Sequence, residues 1–179
     1  MKEYIQMMRA VWDSWQDGKP ADFIGKEYRY TLMTPNFTPE AMPHDPPPVT
    51  IGAVGPAMLR VAGEVCDGVR LHGFCTRKYL ENVVLPELQT GLDRGARHRE
   101  NFQVSAGGFI ATGATDEEVA GQVDFIRQRI AFYGSTRAYW PVLEAHRKRL
   151  AARLDLLVDA QRPDEPATLD GVGLRATLS

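Results

Sequence analysis

The sequence predicts an α/β fold of consecutive parallel β/α units, an incomplete (β/α)8 TIM barrel, and three observations predict it. Short apolar runs alternate with helical segments whose apolar residues recur at three- and four-residue spacing. Turn residues stand at the junctions, as in Asp67-Gly68. Only about three complete units fit, whereas a closed barrel needs eight and typically about 250 residues. Such alternation implies parallel strands, because parallel neighbours need crossover connections.

The first helix begins almost at Met1, with Tyr4, Met7, Met8, Val11, Trp12 and Trp15 at helical spacing. It has the form of a barrel helix cut from its preceding strand. Gly18 and Pro20 end it. A short β segment over residues 28–33 follows. Residues 34–48 then hold half of the chain's 12 prolines, which precludes helix and predicts a stiff, lid-like excursion. Residues 49–53 read as a buried strand. Residues 56–66 read as a helix with Met58, Val61, Ala62 and Val65 on one face. The second strand spans residues 69–72, and a helix over 77–92 carries Leu80, Val83, Val84 and Leu88, kinked or restarted by Pro86. After a polar stretch, residues 103–110 form the third strand, neighbour and parallel to the first two, with Gly107-Gly108 marking a bulge or close approach. Thr115 and Glu118 fit a capping box, opening a helix whose buried stripe is Val119, Val123, Ile126 and Ile130.

The composition is that of a globular protein, 44% hydrophobic and 25% charged over 179 residues. A net charge of -2 with intermixed signs gives no footprint for nucleic acid or an anionic membrane. No stretch approaches the roughly 20 apolar residues that span a bilayer, which predicts a cytoplasmic protein with no membrane partner. Cys66 and Cys75 lack Cys-x-x-Cys or His-pair spacing, so reduced, buried thiols are expected in place of a disulfide or zinc site. His44, His98 and His146 are scattered, and no order of Ser, His and Asp suggests a nucleophilic triad. Trp12, Trp15 and Trp140 read as core or interface aromatics, Ser135 and Thr136 as caps of the next segment, and Arg147-Lys148-Arg149 as a solvated helix face.

Two loops carry candidate chemistry. In Ile51-Gly52-Ala53-Val54-Gly55-Pro56 a strand runs through two glycines into a helix opened by proline. Amide groups at a helix N-terminus bind phosphate, and glycine lets a ligand approach the backbone; alternatively, the glycines only make a tight turn. In Arg70-Leu71-His72-Gly73-Phe74-Cys75-Thr76 the next strand ends, and His72 and Thr76 offer hydrogen bonds to an anion beside the Gly73 backbone. The competing reading is a strand-end histidine that is simply solvated. Adjacent parallel strands bring their ends together, so Gly55 and Gly73 are expected to line one anion site.

The ordered set Tyr4-Ile5-Gln6 to Trp12, Phe23-Ile24-Gly25, Pro48-Val49-Thr50-Ile51-Gly52-Ala53, Gly55-Pro56-Ala57-Met58, Gly63-Glu64-Val65-Cys66-Asp67-Gly68-Val69 and Phe132-Tyr133-Gly134-Ser135-Thr136 resembles the luciferase-like monooxygenase superfamily, and within it the F420-dependent oxidoreductases. The resemblance covers roughly residues 3–146. It implies the C-terminal units of a luciferase-like barrel that binds coenzyme F420, or FMN in sister branches, and transfers hydride to or from a small organic substrate. It also implies that Gly52, Ala53, Val54, Gly55, His72, Gly73 and Thr76 hold the cofactor phosphate. The strands that carry the ring-side groups in the family are absent, so the resemblance assigns no catalytic residue. The expected domain is residues 1–146, with 147–179 a divergent, partly disordered tail around Pro163-Asp164-Glu165-Pro166. Such a chain is expected to be inactive alone, and to form a homo-oligomer or join a complementary barrel half; a non-catalytic interaction module is the alternative.

Overall fold

A computed structural model describes residues 1–147; apart from Arg147, which is exposed, the expected tail lies outside the described residues. The chain divides into two compact units. The first comprises Met1–His72 and Val83–Gly107, and the second comprises Gly73–Asn82 and the described residues from Gly108 to Arg147.

In the first unit α1 (Lys2–Asp17) ends on Gly18, whose φ of 66° is the left-handed cap that glycine adopts without penalty. The buried positions of α1 are Ile5 and Ser14. The expected stripe is only half-buried, and its Tyr4 is exposed. The helix packs on α2 and β2, which turns Ile5 inward. Strands β1 (Phe23–Ile24) and β2 (Arg29–Tyr30) form a small antiparallel pair, shorter than the segment expected over 28–33. The proline-rich excursion holds a single 3-10 turn, Pro35–Phe37, because proline tolerates the first position of such a turn. The Gln16 side-chain amide ties the excursion down, donating to the Met42 carbonyl at 2.8 Å and accepting from its N–H at 3.0 Å.

The main sheet is β3 (Thr50–Ala53), β4 (Gly68–Leu71) and β5 (Gln103–Ser105), in that order and all parallel. Ala53 pairs with Leu71, and Val69 with Val104. The fold is therefore α/β, a partial barrel of parallel β/α units, as the alternation predicts. Two strand readings need correction. β3 is an edge of the sheet, so of its four residues only Ala53 is buried. β5 stops at Ser105 where an eight-residue strand is expected: Ser105 pairs with Arg70, and β4 ends one residue later at Leu71, so the ladder has at most one further position on which to continue.

Helix α2 (Pro56–Val65) opens on proline and buries Leu59, Ala62 and Gly63, with Cys66 just beyond. Met58, Val61 and Val65 of the expected face are half-buried. The buried face is offset by one residue, about 100° of rotation, toward the small positions. Gly63 and Gly91 are the reason. A Cβ at Gly63 would meet the Leu88 carbonyl, and one at Gly91 the Arg60 carbonyl, so the backbones of α2 and α4 (Leu85–Arg94) lie closer than any side chain would allow. The interruption expected at Pro86 is present: a π-helical turn, Leu80–Val84, separates α3 (Arg77–Tyr79) from α4. Proline removes an N–H and crowds the carbonyl of the preceding turn, and a wider turn relieves both.

The second unit centres on α5 (Asp116–Ser135) and α6 (Trp140–Glu144), joined by the 3-10 turn Arg137–Tyr139. Thr115 accepts from the Glu118 N–H at 3.2 Å, while the Glu118 carboxylate reaches back to the Ala114 N–H at 2.7 Å, one residue beyond the usual partner of a capping box. The stripe Val119, Val123, Ile126, Ile130 shares one side, but only Ile126 is buried. Phe74, Phe109, Tyr133 and Tyr139 form an aromatic cluster with centroid spacings of 5.1–6.2 Å, the range of favourable edge and offset contacts. Thr136 takes the N-cap position of the turn Arg137–Tyr139, but neither its side chain nor that of Ser135 makes a cap hydrogen bond there. Both hydroxyls donate back to the Phe132 carbonyl, one of the acceptors that the end of α5 leaves open.

Candidate functional site

Parallel strands end on one edge, so the register alone places the residues after Ala53 and after Leu71 side by side in the first unit. Val54 and Gly55 follow the first strand and His72 the second; all three are half-buried. Gly55 is the N-cap of α2 and, lacking a side chain, gives the first-turn amides no cap. Its φ of -85° and ψ of 158° are extended backbone open to any residue. Positive φ among the glycines is confined to Gly18 within the described residues, so no left-handed turn requires glycine at Gly52 or Gly55, and Gly55 stands at the bend from β3 into α2. Packing does not explain them either, because a Cβ at either position would meet nothing within 4 Å. A side chain at either position would stand in the open space over the backbone, at or just before the N-terminus of α2.

In the second unit, Gly73 faces Gly108 at an ordinary 3.9 Å from its would-be Cβ. Thr76 is the N-cap of α3, its Oγ1 accepting from the Tyr79 N–H at 3.2 Å. The same oxygen lies 2.8 Å from His146 Nε2. Nothing in the sequence signals this pairing, since the two residues are 70 positions apart and neither belongs to a recognisable spacing.

The other end of the sheet is built for cohesion. Asp67, just before β4, accepts from the Val49 N–H at 2.7 Å and from Arg9 at 2.6 Å, and binds Arg97 at 3.1 Å. Arg97 also donates to the Cys66 carbonyl. Burial pushes the Asp67 carboxyl up, but the Val49 amide and the two guanidinium groups outweigh it and hold the pKa below the ordinary carboxylate range. Burial raises the neighbouring Cys66 thiol to about 11, so it is an inert packing group; Cys75, half-buried, is raised for the same reason. An open depression of about 270 Å³ is lined by Gln6, Arg9, Glu64, Val65, Asp67 and Arg97. Its charges are spent on one another: Lys2 on Glu64, and both arginines on Asp67. Among the described residues, no helix is long and apolar enough to cross a membrane.

Comparison with known proteins agrees with this architecture. A protein of Mycobacterium tuberculosis, named only as uncharacterized, is 47% identical over 146 residues, which are 82% of this chain and 43% of that protein. An F420-dependent glucose-6-phosphate dehydrogenase of Nakamurella multipartita is 33% identical over 103 residues, 57% of this chain and 28% of the enzyme. The chain thus spans less than half the length of these relatives. The fold resembles that of an F420-dependent secondary alcohol dehydrogenase, with a TM-score of 0.53 at 18% identity over 80% of this chain and 42% of that one. It also resembles the F420-dependent tetrahydromethanopterin reductase of Methanopyrus kandleri, with a TM-score of 0.50 at 23% identity over 70% and 36%. The family described as luciferase-like monooxygenase matches residues 1–174, and with the parallel β/α units found here the chain belongs to that family.

Proposed function

We propose that this chain is the cofactor-phosphate-holding part of an F420-dependent oxidoreductase acting on a small organic substrate in the cytoplasm. The observation that carries the reading is the open backbone at Gly52 and Gly55, two glycines that neither conformation nor packing requires, at the carboxyl edge of a parallel sheet. The named relatives support F420 over FMN. When bound, the deazaflavin supplies the hydride chemistry. The chain's own residues would bind and orient: in the first unit the first-turn amides of α2, the Gly52-Ala53-Val54-Gly55 backbone and His72 would hold the phosphate, and the family resemblance alone adds Gly73 and Thr76 to that set. Two free thiols suit a reducing compartment, and residues 1–146 form the barrel portion.

Fluorescence titration of the chain with F420 and with FMN tests the proposal. Gly55→Val should weaken F420 binding at least about tenfold, the loss of roughly one charge-assisted hydrogen bond, with an unchanged circular dichroism spectrum. Equal affinity in parent and variant would move the site elsewhere. A second reading rests on the sheet: among the described residues β3 and β5 are both edges, which suits a chain that completes a barrel with another polypeptide or a second copy. Stronger F420 binding on adding the N-terminal half of a relative favours that reading.

A further inference from the structure

Helix α5, which lies wholly in the second unit, carries two lines of residues at alternating four- and three-residue steps, and only one of them is covered. Val119, Val123, Ile126, Ile130 and Tyr133 form the first line, each buried or half-buried. Glu118, Gly121, Phe125, Gln128 and Phe132 form the second, and every one of them is exposed, Phe125 at 51% and Phe132 at 63%. At about 100° per residue the second line runs along the far side of the helix from the first. Such spacing is the seam along which two helices interlock. The seam also pairs large with small: Phe132 stands about three turns after Gly121, where a would-be Cβ meets nothing within 4 Å.

We propose that this face of α5 is an interface between two copies of the chain, in which the two helices pack antiparallel and Phe132 of each sits over Gly121 of the other. Shape selects the direction. The register that sets Phe132 against Gly121 also sets Phe125 against Gln128, so each ring meets a small or flexible residue. A parallel pair would oppose Phe125 to Phe125, Phe132 to Phe132 and Gly121 to Gly121, crowding two layers and leaving a gap at the third. Charge selects the same direction. Asp116, Glu117, Glu118 and Asp124 occupy the first half of α5, Arg127 and Arg129 the second, and no acid follows Asp124. Asp124 and Arg127 already pair within each helix, so Glu117, Glu118 and Arg129 carry the contrast. Antiparallel packing lays the acidic half of one copy along the basic half of the other and opposes the two helix dipoles, whereas parallel packing brings the two Glu118 carboxylates together. The Arg129 guanidinium, 4.8 Å from the Phe125 ring, already flanks the seam. One helix pair falls at the small end of specific interfaces, below about 1,200 Å². The dimer is therefore weak and depends on concentration.

Sedimentation equilibrium of the 179-residue chain over a wide range of concentration tests the proposal. Gly121→Phe puts a ring where Phe132 of the other copy must sit, and Phe132→Ala removes that ring. Each should weaken dimerisation at least about tenfold, with an unchanged circular dichroism spectrum. The double variant Gly121→Phe/Phe132→Ala exchanges the large and small positions and should return the dissociation constant to within about threefold of the parent's. A role confined to one copy cannot produce that recovery, so the double variant decides the matter even if a single variant is less stable. A parent that stays monomeric at every concentration overturns the proposal, and residues 148–179 or another polypeptide then cover this face. Single variants that dimerise as the parent does overturn it in favour of association through the strand edges. Losses that accumulate in the double variant also overturn it, since a parallel pair gains nothing from the exchange.

Discussion

At the scale of single residues, Asp67 joins the ends of two strands to two arginines, one in a helix and one in a loop. Its carboxylate gathers Val49 before β3, Arg9 from α1 and Arg97 before β5. Asp67→Asn keeps the shape but removes the charge that both guanidinium groups share, and should cost about 1–3 kcal/mol at pH 7. Urea unfolding measures it, and an unchanged midpoint would show the clip to be idle. The pH dependence has a definite sign. The folded pKa is depressed, so the stabilisation is complete above the unfolded carboxylate range, near pH 4, and is lost as pH falls through the folded value. The parent should therefore lose its advantage over Asp67→Asn as the pH drops below about 4. Tyr30 Oη and Trp15 Nε1 stand at the opposite extreme, buried with no hydrogen-bond partner among the described residues, and each costs stability where it stands.

At the scale of elements, the α2–α4 contact decides how the first unit packs, and it depends on two absent side chains. Gly91→Ala drives a methyl into the Arg60 carbonyl and should destabilise by about 1–3 kcal/mol, the usual cost of overpacking. The same substitution at Gly121, exposed within α5 with nothing within 4 Å of its would-be Cβ, should stabilise by up to about 1 kcal/mol, because alanine is the better helix former. Thermal unfolding of the two variants should shift in opposite directions. A parallel shift would mean that helix propensity outweighs the contact. The capping box of α5, the Gly18 stop of α1 and the interruption at Pro86 were all legible in the sequence, because caps and breakers act on their own turn. The buried faces of α1 and α2 were legible only to within a residue. Periodicity locates an apolar stripe, but which edge of it turns inward depends on the neighbour, and the glycines that admit α4 so closely carry no hydrophobic signal.

At the scale of the whole molecule, a parallel sheet that has two open edges among the described residues, together with the exposed Ile110, Phe125, Phe132 and Trp140 of the second unit, should make the chain associate with itself. It should not turn over substrate alone. Sedimentation at rising concentration should show oligomers, and F420 oxidation or reduction with small organic substrates should stay far below about 1 per second. A monomer working at ordinary enzymatic rates would mean that the reacting groups lie within this chain. The sequence by itself determined the class of fold, the parallel order of strands, the helix starts and stops, and the glycine-rich strand ends, because these follow from local backbone preference and the alternation of polar and apolar residues. Tertiary structure alone decided the rest. It made β3 an edge strand, cut β5 to three residues near the end of β4, joined Asp67 to Arg9 and Arg97, and placed His146 against Thr76. Those outcomes depend on which surfaces meet, and pairings between residues 30 to 70 positions apart have no periodicity from which to read them.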